Sequence, residues 1–182
     1  MYFLYFIITL IIITLLDTKG NFFFTQDRVG KNAKIFTIYK IRTIPMRTNY
    51  PSTWGRFLRL FKIDELPQIY NICKGEMALV GPRPDVSGYA DLLKGGDEII
   101  LSIKPGITGL ASLKYRNEEY MLAQHKNPLK YNDEVIWPDK VRINKWYIEN
   151  KNVSLDLIIL FYTFIPLKFN VDRFINNYKN KN

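Results

Sequence analysis

The sequence predicts an α/β (α+β) protein, mostly helical with a small sheet or hairpin, that opens with a membrane-embedded helix and carries amphipathic interfacial helices. Three observations predict this class. Residues 1–16 (MYFLYFIITLIIITLL) form an uncharged apolar run. A segment from Lys34 to Lys40 alternates like a strand behind a basic turn. Most of the remaining chain divides into short segments with helical spacing, punctuated by proline and glycine.

The length of 182 residues fits one domain with a real core. A net charge of +9 implies an anionic partner, whether nucleic acid, anionic lipid or a phosphorylated substrate. With one Cys and one His, an internal disulfide is ruled out and a Cys/His zinc site nearly so. Any enzymatic chemistry therefore falls to carboxylates, Lys, Arg and a hard cation bound through oxygen.

The first run, as a helix, spans roughly 24 Å at about 1.5 Å per residue, which is short against a hydrocarbon core of about 30 Å. A signal peptide fits it poorly, because no positive region precedes it and no small-x-small cleavage site follows. A buried helix is the other alternative. Asp17-Thr18-Lys19-Gly20 ends the run, and Phe22-Phe23-Phe24 suits a membrane interface. Arg28-Val29-Gly30-Lys31-Asn32 reads as the basic turn of a hairpin.

Residues 45–53 form a polar loop. Thr53 is expected to cap a helix from Trp54 to about Leu60, with Phe57, Leu60 and Phe61 on one face and Arg56 and Arg59 on another. Such a basic amphipathic helix suits a membrane surface or a solvated face over a core stripe. Asp64 can cap the next helix, Glu65 to about Cys73, with Leu66, Ile69, Tyr70 and Cys73 toward the core and Pro67 in the first turn. Met77 to Val80 reads as a short buried strand leading into Gly81-Pro82-Arg83-Pro84.

Further helices are expected over Val86–Lys94, Asn117–His125, Pro138–Asn150 and Leu155–Phe164, the last capped by Ser154. Glu98–Ile103 is an apolar segment, Lys104–Gly109 a rigid turn, and residues 171–182 a polar, frayed tail.

Two adjacent carboxylates, Asp64 and Glu65, dominate the chemistry. A helix start favours the ionised form that a nucleophile needs and also attracts phosphate. Glu65 could hold Mg²⁺, which takes carboxylate and phosphate oxygens. The plainer reading is an ordinary helix cap and first turn. Arg83, fixed between two prolines, could grip a phosphate with its planar fork or simply reach solvent. Lys40, Arg42 and Arg59 could converge on the same anion or be solvated. His125 is read as structural or exposed, and Cys73 as core.

Taken together, Arg28–Asn32, Lys40-Ile41-Arg42-Thr43, Gly55-Arg56-Phe57-Leu58-Arg59, Asp64-Glu65-Leu66-Pro67-Gln68, Lys74–Pro84, Lys104–Gly109 and Arg116-Asn117 resemble the bacterial sugar transferases, the monotopic polyprenol-phosphate phosphoglycosyl transferases. The likeness runs from about Asp17 to Phe164. It implies transfer of a phosphosugar from a UDP-sugar to undecaprenyl phosphate with release of UMP. Asp64 would be the nucleophile that forms a covalent phosphosugar intermediate, and Glu65 would work with Mg²⁺ beside it. Arg59 and Arg83 are expected at the phosphates, with Lys40 and Arg42 as further substrate-binding candidates.

The implied division is 1–20 anchor, 21–170 catalytic domain and 171–182 tail. The implied location is the bacterial inner (cytoplasmic) membrane, with the active site on the cytoplasmic face, where Lys19, Arg28 and Lys31 agree with the positive side. The process would be the first membrane step of capsule, O-antigen or exopolysaccharide synthesis. Its partners would be membrane lipid and downstream glycosyltransferases, with no nucleic acid. A catalytically silent homologue acting as an interaction subunit is the alternative.

The chain departs from the family pattern at four places. The sequence begins about where the family's Ser-Pro break is expected, so either the start is truncated or the anchor is a reduced form. The connection from Thr43 to Trp54 is short. Asp85 follows Pro-Arg-Pro where Glu is usual. Lys114-Tyr115-Arg116-Asn117 stands for the commoner Asn-Gly-Arg-Asn, with an expected bearing on sugar or nucleotide choice.

Overall fold

The structure is a computed structural model that describes residues 2–165, 167 and 169–179. The chain forms two compact units, Met1–Arg28 with Phe36–Gly75, and Val29–Ile35 with Glu76–Asn182.

In the first unit the apolar run forms α1 (Tyr2–Thr18). Its Leu10 packs in a small core with Ile41 and Leu58, and Phe22, Trp54 and Ile63 flank them. Polar contacts also hold α1. Trp54 Nε1 donates to Thr14 Oγ1 at 3.0 Å, and Ser52 Oγ donates to Asp17 Oδ2. The other face leaves Ile8, Ile12 and Leu16 exposed. No helix among the described residues is long and apolar enough to cross a membrane.

The expected hairpin is present as β1 (Phe23–Val29) and β2 (Ile35–Ile41). Thr37 Oγ1 donates to Asp27, and the Arg42 N–H donates to the Phe22 carbonyl, on one antiparallel register. Next comes α2 (Thr53–Leu60), capped by Ser52, not Thr53, since Ser52 Oγ accepts the Gly55 N–H. Gly55 is required by contact: a Cβ there would lie 2.1 Å from the Thr43 carbonyl oxygen.

The helix expected from Glu65 to Cys73 divides into a 3-10 turn, Ile63–Gln68, and α3, Ile69–Cys73. Its orientation is opposite to the expected one. Asp64, Glu65, Gln68 and Asn71 are buried, while Leu66, Ile69, Tyr70 and Cys73 are exposed. Both sets have helical spacing, so periodicity alone could not say which faces inward.

In the second unit β3 (Ala78–Val80) pairs in parallel with β4 (Gly106–Thr108), Ala78 opposite Gly106 and Val80 opposite Thr108. The segment expected as a rigid turn is therefore partly a strand. Its glycine permits this, because a Cβ on Gly106 would lie 2.2 Å from the Gly81 nitrogen. The helix expected over Val86–Lys94 is reduced to a 3-10 turn at Ala90–Leu92, and a second 3-10 turn covers Asp97–Leu101.

Then follow α4 (Leu110–Lys114), α5 (Glu118–Ala123), α6 (Pro128–Tyr131), a π turn at Asn132–Ile136 and α7 (Trp137–Glu149). Asn152, not Ser154, caps α8 (Val153–Phe164). The expected frayed tail is instead α9 (Val171–Lys179). Val171 and Ile175 are buried with Leu110, Ile143 and Tyr147 in the main core. Two apolar residues four apart are one turn's stripe, which the surrounding Asn and Lys obscured in the sequence. The last three residues of the expected tail lie outside the described ones.

Candidate active site

The Asp64-Glu65 pair sits where α2 reverses into the 3-10 turn. Lys62 makes the reversal with a left-handed backbone, φ 58° and ψ 21°. Its carbonyl accepts the Glu65 N–H at 3.2 Å. Neither carboxylate caps a helix; both are buried side chains of the first turn.

Glu65 is 4% exposed and lies between two ammonium groups. Lys40 Nζ is 3.4 Å from Oε1, and Lys62 Nζ is 3.8 Å from Oε2. Lys40 comes from β2, whose position against α3 is fixed by Asn71 Nδ2 donating to the Thr37 carbonyl. Arg59 sits on α2 with Nε donating to Thr43 Oγ1 at 2.9 Å.

Asp64 is 7% exposed, and its Oδ1 has no hydrogen-bond partner among the described residues. Burial pushes its carboxyl above the ordinary value of 3.8, and the neighbouring Glu65 pushes the same way. Lys40, Lys62 and Arg59 pull it down without reversing the shift. The helix-start environment expected to hold Asp64 ionised is thus outweighed by desolvation.

Of the other expected site residues, Arg42 points away. Its Nε donates to the Asn21 carbonyl and its guanidinium lies over the Phe24 ring, 5.7 Å from the centroid. Arg83 belongs to the second unit, where Nη1 donates to the Ile107 carbonyl at 3.2 Å. Its loop is pinned on both sides: Gly81 N–H donates to Thr108, Gly106 N–H to Pro82, and Val29 N–H to Asp85.

Lys114-Tyr115-Arg116, expected to bear on substrate choice, makes internal contacts. Lys114 is 2.7 Å from both Asp139 and Asp172. The Tyr115 hydroxyl donates to Asp139, and Arg116 donates to the Tyr162 carbonyl near the end of α8. His125 stacks on Tyr131.

Sequence reasoning missed Lys62 as a site residue, along with Thr43, Gln68 and Asn71. The signal for the last two was present: positions 64, 65, 68 and 71 form a continuous polar face.

No cluster of three His, Cys, Asp or Glu side chains that could hold a metal is found among the described residues. The donors that are present still suit Mg²⁺. They are two hard carboxylates, one with an unpartnered buried oxygen, and Mg²⁺ commonly takes one or two carboxylates and completes its shell with water and substrate phosphate.

Comparison with known proteins places this geometry in a family. Residues 1–169 match the family model described as bacterial sugar transferase. The chain is 36% identical over 152 residues to the uncharacterized sugar transferase EpsL of Bacillus subtilis, covering 78% of this chain and 67% of that protein. It is 31% identical over 171 residues to an undecaprenyl-phosphate galactose phosphotransferase of Salmonella typhimurium, covering 79% of this chain and 33% of that one. It is also 31% identical over 174 residues to a UDP-glucose:undecaprenyl-phosphate glucose-1-phosphate transferase of Klebsiella pneumoniae, covering 86% and 35%. The chain thus spans about a third of the latter two relatives. The buried acidic pair, the Pro-Arg-Pro loop and the extent of these matches lead to one assignment: the chain belongs to the bacterial sugar transferase family.

Proposed function

We propose that this protein is a phosphoglycosyl transferase that moves a phosphosugar from a UDP-sugar to undecaprenyl phosphate. The observation that carries the reading is the inverted segment at 64–71. Burying two adjacent carboxylates costs folding energy unless they are compensated, and here cations surround them. The relatives' names supply the substrate class.

In the first step an Asp64 carboxylate oxygen attacks the sugar-bearing phosphorus. A new O–P bond forms, the bond from that phosphorus to the bridging oxygen breaks, and UMP leaves with the electron pair. In the second step a phosphate oxygen of undecaprenyl phosphate attacks the same phosphorus and expels the Asp64 carboxylate. One displacement between two substrates becomes two, each with a nucleophile already in place. In the metal-free protein Lys40 and Lys62 hold the Glu65 carboxylate, and Arg59 adds positive charge close to Asp64. Asp64 and Glu65 would hold Mg²⁺, which supplies charge neutralisation for the phosphates and draws Asp64 back toward its ionised form. Arg83 would serve as a phosphate ligand.

The reading extends to the cytoplasmic face of the inner membrane, at the start of a surface glycan that downstream glycosyltransferases extend. Its support is the exposed apolar residues of the first unit, Ile12 and Leu16 on α1, Phe57 on α2 with Phe61 just after it, and Leu66 and Ile69 beyond.

The test is Asp64→Asn. It abolishes UMP release from UDP-sugar, undecaprenyl phosphate and Mg²⁺ while the protein still folds; turnover like wild type overturns the nucleophile assignment. Product analysis must show lipid diphosphate-sugar and not free sugar phosphate.

A further inference from the structure

We infer that Lys62 is the counterion that Glu65 keeps until a divalent cation arrives, and that it thereby sets how tightly the Asp64-Glu65 pair holds that cation. The inference rests on the metal reading above.

The two ammonium groups on Glu65 are not equivalent. The Lys40 side chain is 17% exposed and extends from a strand; the Lys62 side chain is 36% exposed. Lys62 is therefore the one with solvent to move into. Its backbone is also unusual. An L residue in the left-handed region is strained where glycine is not, so the turn itself would be better served by glycine. What lysine adds is the side chain.

That side chain is tethered at its base. The Lys62 N–H donates to the Arg59 carbonyl, and the Lys62 carbonyl accepts the Glu65 N–H, each at 3.2 Å. The ammonium is thus held within reach of Oε2 across a single turn.

A divalent cation and an ammonium compete for the charge of that oxygen. Mg²⁺ sits at about 2.1 Å from its ligand oxygens, and the two positive charges would then be only a few ångströms apart. Binding the metal through Oε2 therefore works against the Lys62 charge and favours its moving into solvent. In the metal-free protein the same lysine adds to Lys40 in compensating a buried carboxylate. Lys62 therefore stabilises the empty site and weakens the filled one.

The experiment is calorimetric titration of the purified, detergent-solubilised full chain with Mg²⁺ alone. The proteins are wild type, Lys62→Gln, Lys62→Gly and Lys62→Arg, with thermal melting of each in parallel. Lys62→Gln and Lys62→Gly are expected to bind Mg²⁺ about tenfold more tightly, the Coulomb repulsion of one partly exposed charge having been removed. Lys62→Arg, which keeps the charge, is expected to stay near wild type. Lys62→Gly keeps the test open if the Gln variant folds poorly, since it also relieves the backbone. Wild-type binding with unchanged or weaker binding in the folded neutral variants overturns the inference alone. Tightening in Lys62→Arg equal to that in Lys62→Gln overturns it too. A wild type that binds no Mg²⁺ overturns it together with the metal reading.

Discussion

Asn71 on α3 donates its side-chain amide to the Thr37 carbonyl of β2 at 2.8 Å, and it is fully buried. This bond fixes the helix after the acidic pair against the strand that carries Lys40. Edge-to-face packing of Tyr39 on Tyr70 adds to the same junction. Asn71→Ala leaves a strand carbonyl without that donor, at a cost of about 1–3 kcal/mol. Chemical denaturation should read that loss, and UMP release should fall as Lys40 loses its fixed place.

Lys40 is the more buried of the two cations on Glu65. Lys40→Met keeps much of the stem but leaves Glu65 Oε1 without its ammonium. The expected result is a folded protein with UMP release reduced by about 100-fold, the scale seen when a reacting constellation is misplaced. Lys40→Arg should not restore full activity, because a guanidinium is a fork and not a point charge. Steady-state UMP release on all three proteins decides this.

The local order of elements was legible where the chain carries strong signals. The apolar run of α1, the hairpin around Gly30 and the helix from Trp137 all follow from periodicity and turn residues. The acidic pair and the Pro-Arg-Pro loop stood out because so few other reactive residues exist, but composition and spacing left an ordinary helix cap and a solvated arginine open; only the family resemblance attached roles to them. The orientation of the 64–73 segment was not legible. Its apolar face at Leu66, Ile69 and Tyr70 looked like a core stripe, yet those residues are exposed and the polar face is inside. Here the polar face is inside and the apolar face outside, and only tertiary structure reveals that reversal. The β3–β4 pairing was missed for another reason: two three-residue strands far apart in sequence leave too little pattern to read.

Burial raises the Asp64 carboxyl above 3.8, so in the folded state the ionised form is disfavoured. The sign follows. Where the folded protein binds the proton more tightly than the unfolded chain, stability falls as pH rises from 3.8 through the folded value. Above that window the whole penalty is present; below 3.8 it is gone. Metal-free Asp64→Asn should therefore melt at a higher temperature than wild type at pH 7. The advantage should shrink as the buffer approaches pH 3.8. Melting curves in chelator across that range check it. A lower melting temperature for the variant at pH 7 would contradict the desolvated state of Asp64.

The C-terminal helix is held by charge as well as by Val171 and Ile175. Asp172 of α9 lies 2.7 Å from Lys114 and 2.6 Å from Arg142, both of which also contact Asp139. The Lys114 hydrogen bond holds Asp172 below the ordinary carboxylate value against opposing burial. For Asp139 burial pushes up, and the bonds from Lys114, Tyr115 and Arg142 more than offset it. Lys114 is pushed down by burial and raised further by the two aspartates. Both lowered carboxylates contribute stability that is present above 3.8 and lost as pH falls through their folded values. The raised lysine contributes stability that is complete below 10.5 and lost as pH rises through its folded value. The clasp is therefore strongest between those limits. Asp172 is half exposed, so Asp172→Asn should cost only about 1 kcal/mol or less at pH 7. Hydrogen exchange localises the effect: amides of α9 should exchange faster in the variant at pH 7. The difference from wild type should close as pH falls from 3.8 through the folded value of Asp172, where the wild-type clasp becomes protonated.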